Sequence, residues 1–403
     1  MNQLQSVFTK DFINKNKVSL LILLVLIASF IIENINGRFW LNDFKVYYTA
    51  ASHLVHGGNI YNEAYGLGSG FYKYSPFAAI FFIPFTFLPY YIASVIYYFL
   101  VSALIIYVLN TSLALVTKYY GNENIVSKRN QLILLFVFLA TIVHLQRELH
   151  LGNVNILLLS ILLLALKGLL DNKTRLPGLL LAIAILFKPH FLVFIPLLLL
   201  RKRFPVVGLI LFFIFIGLIL PSFFYGIPTN IFLHKQWLAT METHNAGILQ
   251  AEQTIYSILY TYLLRFFIPE PGKKYILMIL IIVSAGILLY IVRHNSNNKT
   301  NDKSNSFMME FFLLLALIPS LTLTDTEHFL LTLPLITLMI YHIRMLKMNL
   351  VWLIIFWIGI IFYAGNIHDL LGSNLSAWVL AHGFLGIGNL ILIGLYYSIT
   401  IKR

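Results

Sequence analysis

The stretch "LPGLLLAIAILFKPHFLVFIPLLLLRKR", Leu176–Arg203, decides how the rest of the chain is read. It is apolar for 25 residues except for one lysine and one histidine near its middle, and it lies between two basic clusters, Lys173/Arg175 and Arg201–Arg203. A helix that crosses a bilayer needs about 20 apolar residues, so two full crossings do not fit here. The spacing predicts a short hairpin whose tip is Lys188-Pro189-His190. Non-helical backbone at membrane depth has to be buried in protein or line a wet cavity. An ammonium held there needs an anion or carbonyls around it.

Outward from this hairpin the composition agrees. Of 403 residues 59% are hydrophobic and 11% are charged, which places the chain among polytopic membrane proteins. Hydropathy predicts crossings near 18–36, 90–116, 130–146, 154–170, 176–187, 191–200, 205–225, 275–292, 307–323, 329–345, 350–365 and 376–399. That makes about 12 transmembrane helices in an all-α integral membrane domain spanning 1–403, with both termini on one side. The first run reads as a transmembrane helix rather than a cleaved signal, because "IIENINGRFW" has no small-residue cleavage site. Two large loops, 37–89 and 226–274, fall on the opposite side. Within the first, Pro76–Pro89 is too short and too rich in proline for a span and reads as a half-buried juxtamembrane helix.

Charge orients the scheme. The segments on the side of the termini hold 19 of the 28 Lys and Arg against five carboxylates, and the other side holds nine against ten. Short basic loops stay cytoplasmic, so the termini are expected inside and the two large loops outside. The net charge of +13 is therefore a topology signal, and no basic segment has the interleaved aromatics of a nucleic-acid site. With no cysteine there is no disulfide and no thiolate metal site. No P-loop, GxGxxG, HExxH or GxSxG pattern occurs.

Residues able to do chemistry collect on the expected outer side. They are Asp43, Tyr47 and Tyr48 after the first span, Lys73 and Tyr74 in "KYSP", Arg147 and Glu148 in "HLQRELHLGNVN", Asn153 and Asn155 just beyond, Lys188 and His190 at the hairpin tip, and Glu327 and His328 in "TDTEHFLLTLP". Each has a plainer reading. Asp43 could cap a helix, Glu148 could pair with Arg147, and His53, His56, His234 and His368 read as interfacial anchors. Lys188 is the hardest to explain away. The histidines and carboxylates show no metal-ligand spacing on one helix, and no metal or other cofactor is expected.

In order along the chain, "DFKVYYTAASHLVHGGNIY", "FYKYSPFAAIFFIPFTFLP", "HLGNVNILLLSILLLAL", "AILFKPHFLVFIPLLLLRKR" and "EHFLLTLPL" resemble glycosyltransferase family 87, the polyprenol-phosphate-mannose-dependent mannosyltransferase-like proteins of the C-type superfamily. The resemblance implies a C-type glycosyltransferase fold and a site on the periplasmic or extracellular face of a bacterial inner membrane. It implies a polyprenyl-phosphate sugar as donor, a lipid or glycan as acceptor, and mannose as the sugar. Asp43 corresponds to the first-loop acid that acts as base in the family, and His328 to the histidine of its "H…LLP" element. The chain departs from the pattern at Gly152-Asn153-Val154-Asn155, where Gly-Gln-x-Asn is frequent, and at Glu327-His328, where a His-His pair is frequent.

The chemistry suits these residues. An acceptor hydroxyl loses a proton as it attacks the anomeric carbon, which a carboxylate can take. A polyprenyl phosphate leaves as an anion, so it needs cations, for which Lys188, Arg147 and Lys73 are candidates. One base and one displacement predict inversion. Two other classes remain open from sequence: a transporter or flippase of a lipid-linked sugar, whose polar residues belong near the bilayer midplane in related halves, and a scaffold, whose polar residues would scatter over both faces.

Overall fold

A computed structural model describes residues 10–65, 70–121, 127–245, 252–267, 303–322, 325–345 and 349–401, with isolated positions at 279, 283 and 286. Among the described residues the chain is helical apart from one antiparallel bridge, Ala64 to Phe71. The first half runs α1 (Lys10–Ile35), α2 (Asn42–His56), α3 (Pro76–Ile80), α4 (Ile83–Thr86), α5 (Tyr90–Tyr119), α6 (Ser127–Leu151), α7 (Asn155–Leu170), α8 (Arg175–Phe187), a 3-10 turn (Pro189–Val193), α9 (Phe194–Leu200), α10 (Phe204–Ile219), α11 (Ser222–Tyr225) and α12 (Ile227–Asn245). The second half has α13 (Ile255–Tyr262), α14 (Lys303–Leu321), a second 3-10 segment (Thr326–Thr332), α15 (Leu333–Met345), α16 (Leu350–Ala364), α17 (His368–Ala381) and α18 (Phe384–Ile401).

Among the described residues six helices are long and apolar enough to cross a membrane: Asn16–Ile35, Tyr90–Tyr119, Asn130–Leu151, Phe204–Tyr225, Lys303–Leu321 and Thr326–Met345. A seventh crossing results if Leu370–Ala381 and Phe384–Ser398, bent by 60° at their junction, act as one. The chain is thus a polytopic integral membrane protein. The segments expected to cross at 154–170, 176–187, 191–200 and 350–365 form shorter apolar helices. At 1.5 Å per residue the 16 residues of α7 reach only about 24 Å, less than the ~30 Å hydrocarbon core. The crossing expected at 275–292 lies outside the described residues save for the three isolated positions.

The centre of the bundle is α7. Leu158, Leu159, Leu162, Leu163 and Leu166 are all fully buried, as befits a helix that is apolar on every side. It packs against α5, α8, α14 and the second 3-10 segment. By contrast α1 and α10 expose Leu24, Ile32, Phe212 and Phe215, the surface a bilayer covers. Two glycines let α8 and α10 nest. A Cβ at Gly178 would fall 2.7 Å from the Leu209 Cβ, and one at Gly217 would meet Leu186. Small residues at such contacts are how helices approach closely in lipid.

The helix break expected at Lys188-Pro189 is present. Lys188 ends α8 in extended backbone (φ −136°, ψ 102°), and Pro189 then opens the 3-10 turn. The segment 76–89 differs from the expected single helix. It forms two short helices, because Pro76 and Pro84 each sit at the start of a helix and the chain turns at Phe81-Phe82.

Candidate active site

Asp43 lies in the first turn of α2, and the entry to that helix is constrained. Leu41 takes a left-handed conformation (φ 42°, ψ 59°), which costs an L-residue about 1–2 kcal/mol. The Tyr90 hydroxyl donates to the carbonyls of Trp40 (2.6 Å) and Leu41 (3.2 Å) and helps hold the turn. Gly152 faces it at the end of α6 with φ +66°. A Cβ there would sit 2.9 Å from the Phe44 Cβ and 3.0 Å from that of Leu41, so only glycine lets α6 end against α2.

That contact places the "GNVN" asparagines. Asn153 Nδ2 donates to Asp43 Oδ2 at 2.6 Å, while its Oδ1 accepts from the Val154 amide at 2.7 Å and from the Tyr47 hydroxyl at 3.5 Å. Tyr97 donates to the Asn153 carbonyl at 3.0 Å, and the Tyr47 and Tyr74 hydroxyls lie 3.2 Å apart. The second asparagine faces the other way. Asn155 Nδ2 donates to Glu148 Oε2 at 3.0 Å, and its Oδ1 accepts from Lys188 Nζ at 2.7 Å. Glu148, fully buried, also accepts the Ile156 amide at 2.9 Å, which satisfies a free N–H in the first turn of α7.

Lys188 is 5% exposed and makes a second contact, 2.5 Å to His328 Nε2. His328 Nδ1 lies 3.3 Å from the Asp325 carbonyl. If that nitrogen carries the proton, Nε2 is left to accept from the ammonium, which assigns a neutral ring. Arg147, half-exposed, pairs with the buried Glu327. The bland expectation that Glu148 pairs with Arg147 is therefore corrected: neighbours on a helix point apart, and each finds its partner elsewhere.

The site is rich in acid. Asp43 is pushed up to about 6, first by burial and then by the nearby Glu327 and Asp325 carboxylates, while Lys188 and the Asn153 hydrogen bond pull it back. Lys188 is thus close enough to act on the Asp43 carboxylate. Asp325, Glu327 and His328 also bring three ligand atoms within 4.8 Å, a set that could hold a divalent cation. In the folded chain Glu327 is already paired with Arg147 and His328 with Lys188.

Of the residues singled out in the sequence, Asp43, Tyr47, Tyr74, Asn153, Asn155, Glu148, Lys188 and His328 form one linked network, with Arg147 and Glu327 beside it. His190 stands next to it, its ring 6.1 Å from that of His328. Tyr48 points elsewhere and donates to the Leu88 carbonyl at 2.8 Å. Lys73 is half-buried and joins none of these contacts among the described residues. Sequence reading missed Tyr97, hidden in the aromatic run "YYIASVIYYF", and Gly152 as the residue that admits α2.

A helical membrane protein with a buried lysine and a carboxylate of raised pKa in one network is built as a membrane-embedded enzyme is. The model of glycosyltransferase family 87 matches residues 71–319, and the chain belongs to that family. It is a membrane glycosyltransferase. The matched range contains Tyr74, Arg147, Glu148, Asn153, Asn155, Lys188 and His190, with Asp43 and His328 beyond its ends. No curated protein and no solved structure matches the chain.

Proposed function

We propose that the protein moves a hexosyl group, mannosyl by family resemblance, from a polyprenyl-phosphate donor to an acceptor hydroxyl, with inversion, and that Asp43 is the general base. The site faces the periplasmic or extracellular side, a placement that rests on the distribution of Lys and Arg. The observation that carries the reading is the Asp43–Asn153 contact joined along the "GNVN" turn to Asn155 and Lys188. It sets a base and a cation on the two sides of one short loop.

In the reaction the acceptor O–H gives its proton to the Asp43 carboxylate as its oxygen bonds to the anomeric carbon. The bond from that carbon to the phosphate oxygen breaks, and the polyprenyl phosphate leaves with the electron pair. Two of the three N–H groups of Lys188 are directed by Asn155 and His328, and the third serves the phosphate. His328 and Asn155 are positioning residues for that ammonium, and Arg147 is a further cation at the rim. An acid held near 6 is still ionised at neutral pH and is a stronger base than a free aspartate. The chemistry as written needs no metal ion.

The test is transfer of radiolabelled mannose from polyprenyl-phosphate mannose to extracted membrane acceptors by purified wild type and Asp43→Asn. The variant is expected to lose roughly 100- to 10,000-fold in rate while donor binding and unfolding temperature stay near wild type. Undiminished transfer would remove Asp43 from the mechanism.

A further inference from the structure

Away from this network, α12 carries polar atoms that the chain does not use. Asn230 Oδ1, His234 Nε2 and Trp237 Nε1 are shielded from solvent and have no hydrogen-bond partner, and the Tyr225 hydroxyl just before α12 is in the same condition. Residues 230, 234 and 237 follow helical spacing and share one face. The other polar atoms of these residues are occupied: Asn230 Nδ2 donates to the Leu218 carbonyl (2.9 Å) and to Ser222 Oγ (2.8 Å), and His234 Nδ1 lies 2.9 Å from the Asn230 carbonyl. With Nδ1 as donor, His234 Nε2 is an acceptor. Buried polar atoms are nearly always paired, because an orphan forfeits its hydration. Three such atoms on one helix face, with a fourth two residues before the helix, therefore call for a ligand.

We propose that this stripe is a binding site for a neutral, hydroxyl-rich ligand, the glycan portion of the acceptor. The inference rests on the transferase reading and deepens it. Two donors (Trp237 N–H, Tyr225 O–H) and two acceptors (Asn230 Oδ1, His234 Nε2) suit sugar hydroxyls, which both give and accept hydrogen bonds. No formal charge stands among them, which disfavours a phosphate. Indole and phenol rings supply the apolar surface for the C–H face of a sugar. Tyr225, His234 and Trp237 keep part of their surface exposed, so the stripe lies at the edge of the fold and not in its core.

The position fits an acceptor. α12 packs against α3, which begins one residue after Tyr74-Ser75. Tyr225 is near enough to bear on the buried phenols of Tyr61 and Tyr72. Tyr61 donates to the Tyr74 carbonyl at 2.8 Å, and the Tyr74 hydroxyl reaches Tyr47 beside Asn153 and Asp43. A wall of tyrosines thus runs from the stripe to the base. Elsewhere on α12 Ile231, Phe232 and Leu238 are exposed beside the charged Lys235 and Glu242.

The experiment uses the full chain in a zwitterionic detergent without a sugar head group and mannotriose as the probe, with affinity read by calorimetry and saturation-transfer NMR. Tyr225→Phe removes one hydroxyl and keeps the ring, and Trp237→Phe removes the indole N–H and keeps an aromatic side chain. Wild type is expected to bind, and each variant to bind about two- to tenfold more weakly at an unchanged unfolding temperature. Failure of the catalytic reading is seen separately, as undiminished sugar transfer by Asp43→Asn. The proposal is overturned if wild type binds no mannotriose, if both Phe variants bind it as well as wild type, or if mannose 6-phosphate binds more tightly than the neutral sugar.

Discussion

Two charge clusters in this protein are built on opposite plans. At one, Arg201 grips Glu310 with two parallel bonds, Nε to Oε2 at 2.8 Å and the terminal nitrogen to Oε1, and both side chains are largely withdrawn from solvent. One cation meets one anion in the fork geometry that suits them. At the other, four carboxylates (Asp43, Glu148, Asp325 and Glu327) share two cations, Lys188 and Arg147. Asparagines do the joining there, and the pKa of Asp43 is displaced upward. A closed pair holds helices together, whereas an unbalanced cluster stores reactivity and binding capacity.

The contrast can be broken from either side. Glu310→Ala leaves a buried guanidinium without its partner and should cost about 3–5 kcal/mol of stability in denaturant titrations of the detergent-solubilised protein. Transfer by the fraction still folded should be unaffected. A cost under about 1 kcal/mol would mean that the pair is not structural. Lys188→Met should act the other way, weakening polyprenyl-phosphate-sugar binding roughly 10- to 100-fold, the worth of a charge-assisted hydrogen bond, with a smaller effect on unfolding. Unaltered donor affinity would pass the phosphate-binding role to Arg147.

Much of the site was legible because its residues are polar in an apolar text. Asp43, Lys188 and the "GNVN" pair stand out wherever the solvent is lipid, since a polar side chain at depth demands a reason. Helical geometry held more than was taken from it. Asp43 and Tyr47 are four apart and share a face, whereas Tyr48 is turned about 100° further round, which is why the paired tyrosines part company. The same geometry forbade Arg147–Glu148. Tyr97 was not legible, because aromatic runs at a membrane boundary look alike whether they anchor or brace. The number of crossings is hard to read for a related reason. Apolar runs of 13 to 16 residues, such as α8 and α7, hold the same residue types in a buried core as in a span. The stripe on α12 escaped notice too: His234 reads as an anchor by sequence, and although Asn230, His234 and Trp237 follow helical spacing, only the fold shows that their buried polar atoms lack partners. Family membership, finally, sets aside the transporter and scaffold alternatives that sequence had left open.

The central claim, that Asp43 works as a carboxylate whose basicity the site has raised, is met most directly by the pH dependence of kcat/KM for the donor. Burial and the neighbouring acids raise the pKa of Asp43 to about 6. The base is active only when deprotonated, so the rate should rise with pH through that value, and it should fall again at about 8, to which burial lowers the Lys188 ammonium that holds the phosphate. In Asn153→Ala the hydrogen bond that favours the carboxylate is lost, and the midpoint should move further up, by up to about one unit. A wild-type profile flat from about pH 4 to about pH 8, or a midpoint that Asn153→Ala leaves in place, would contradict the account.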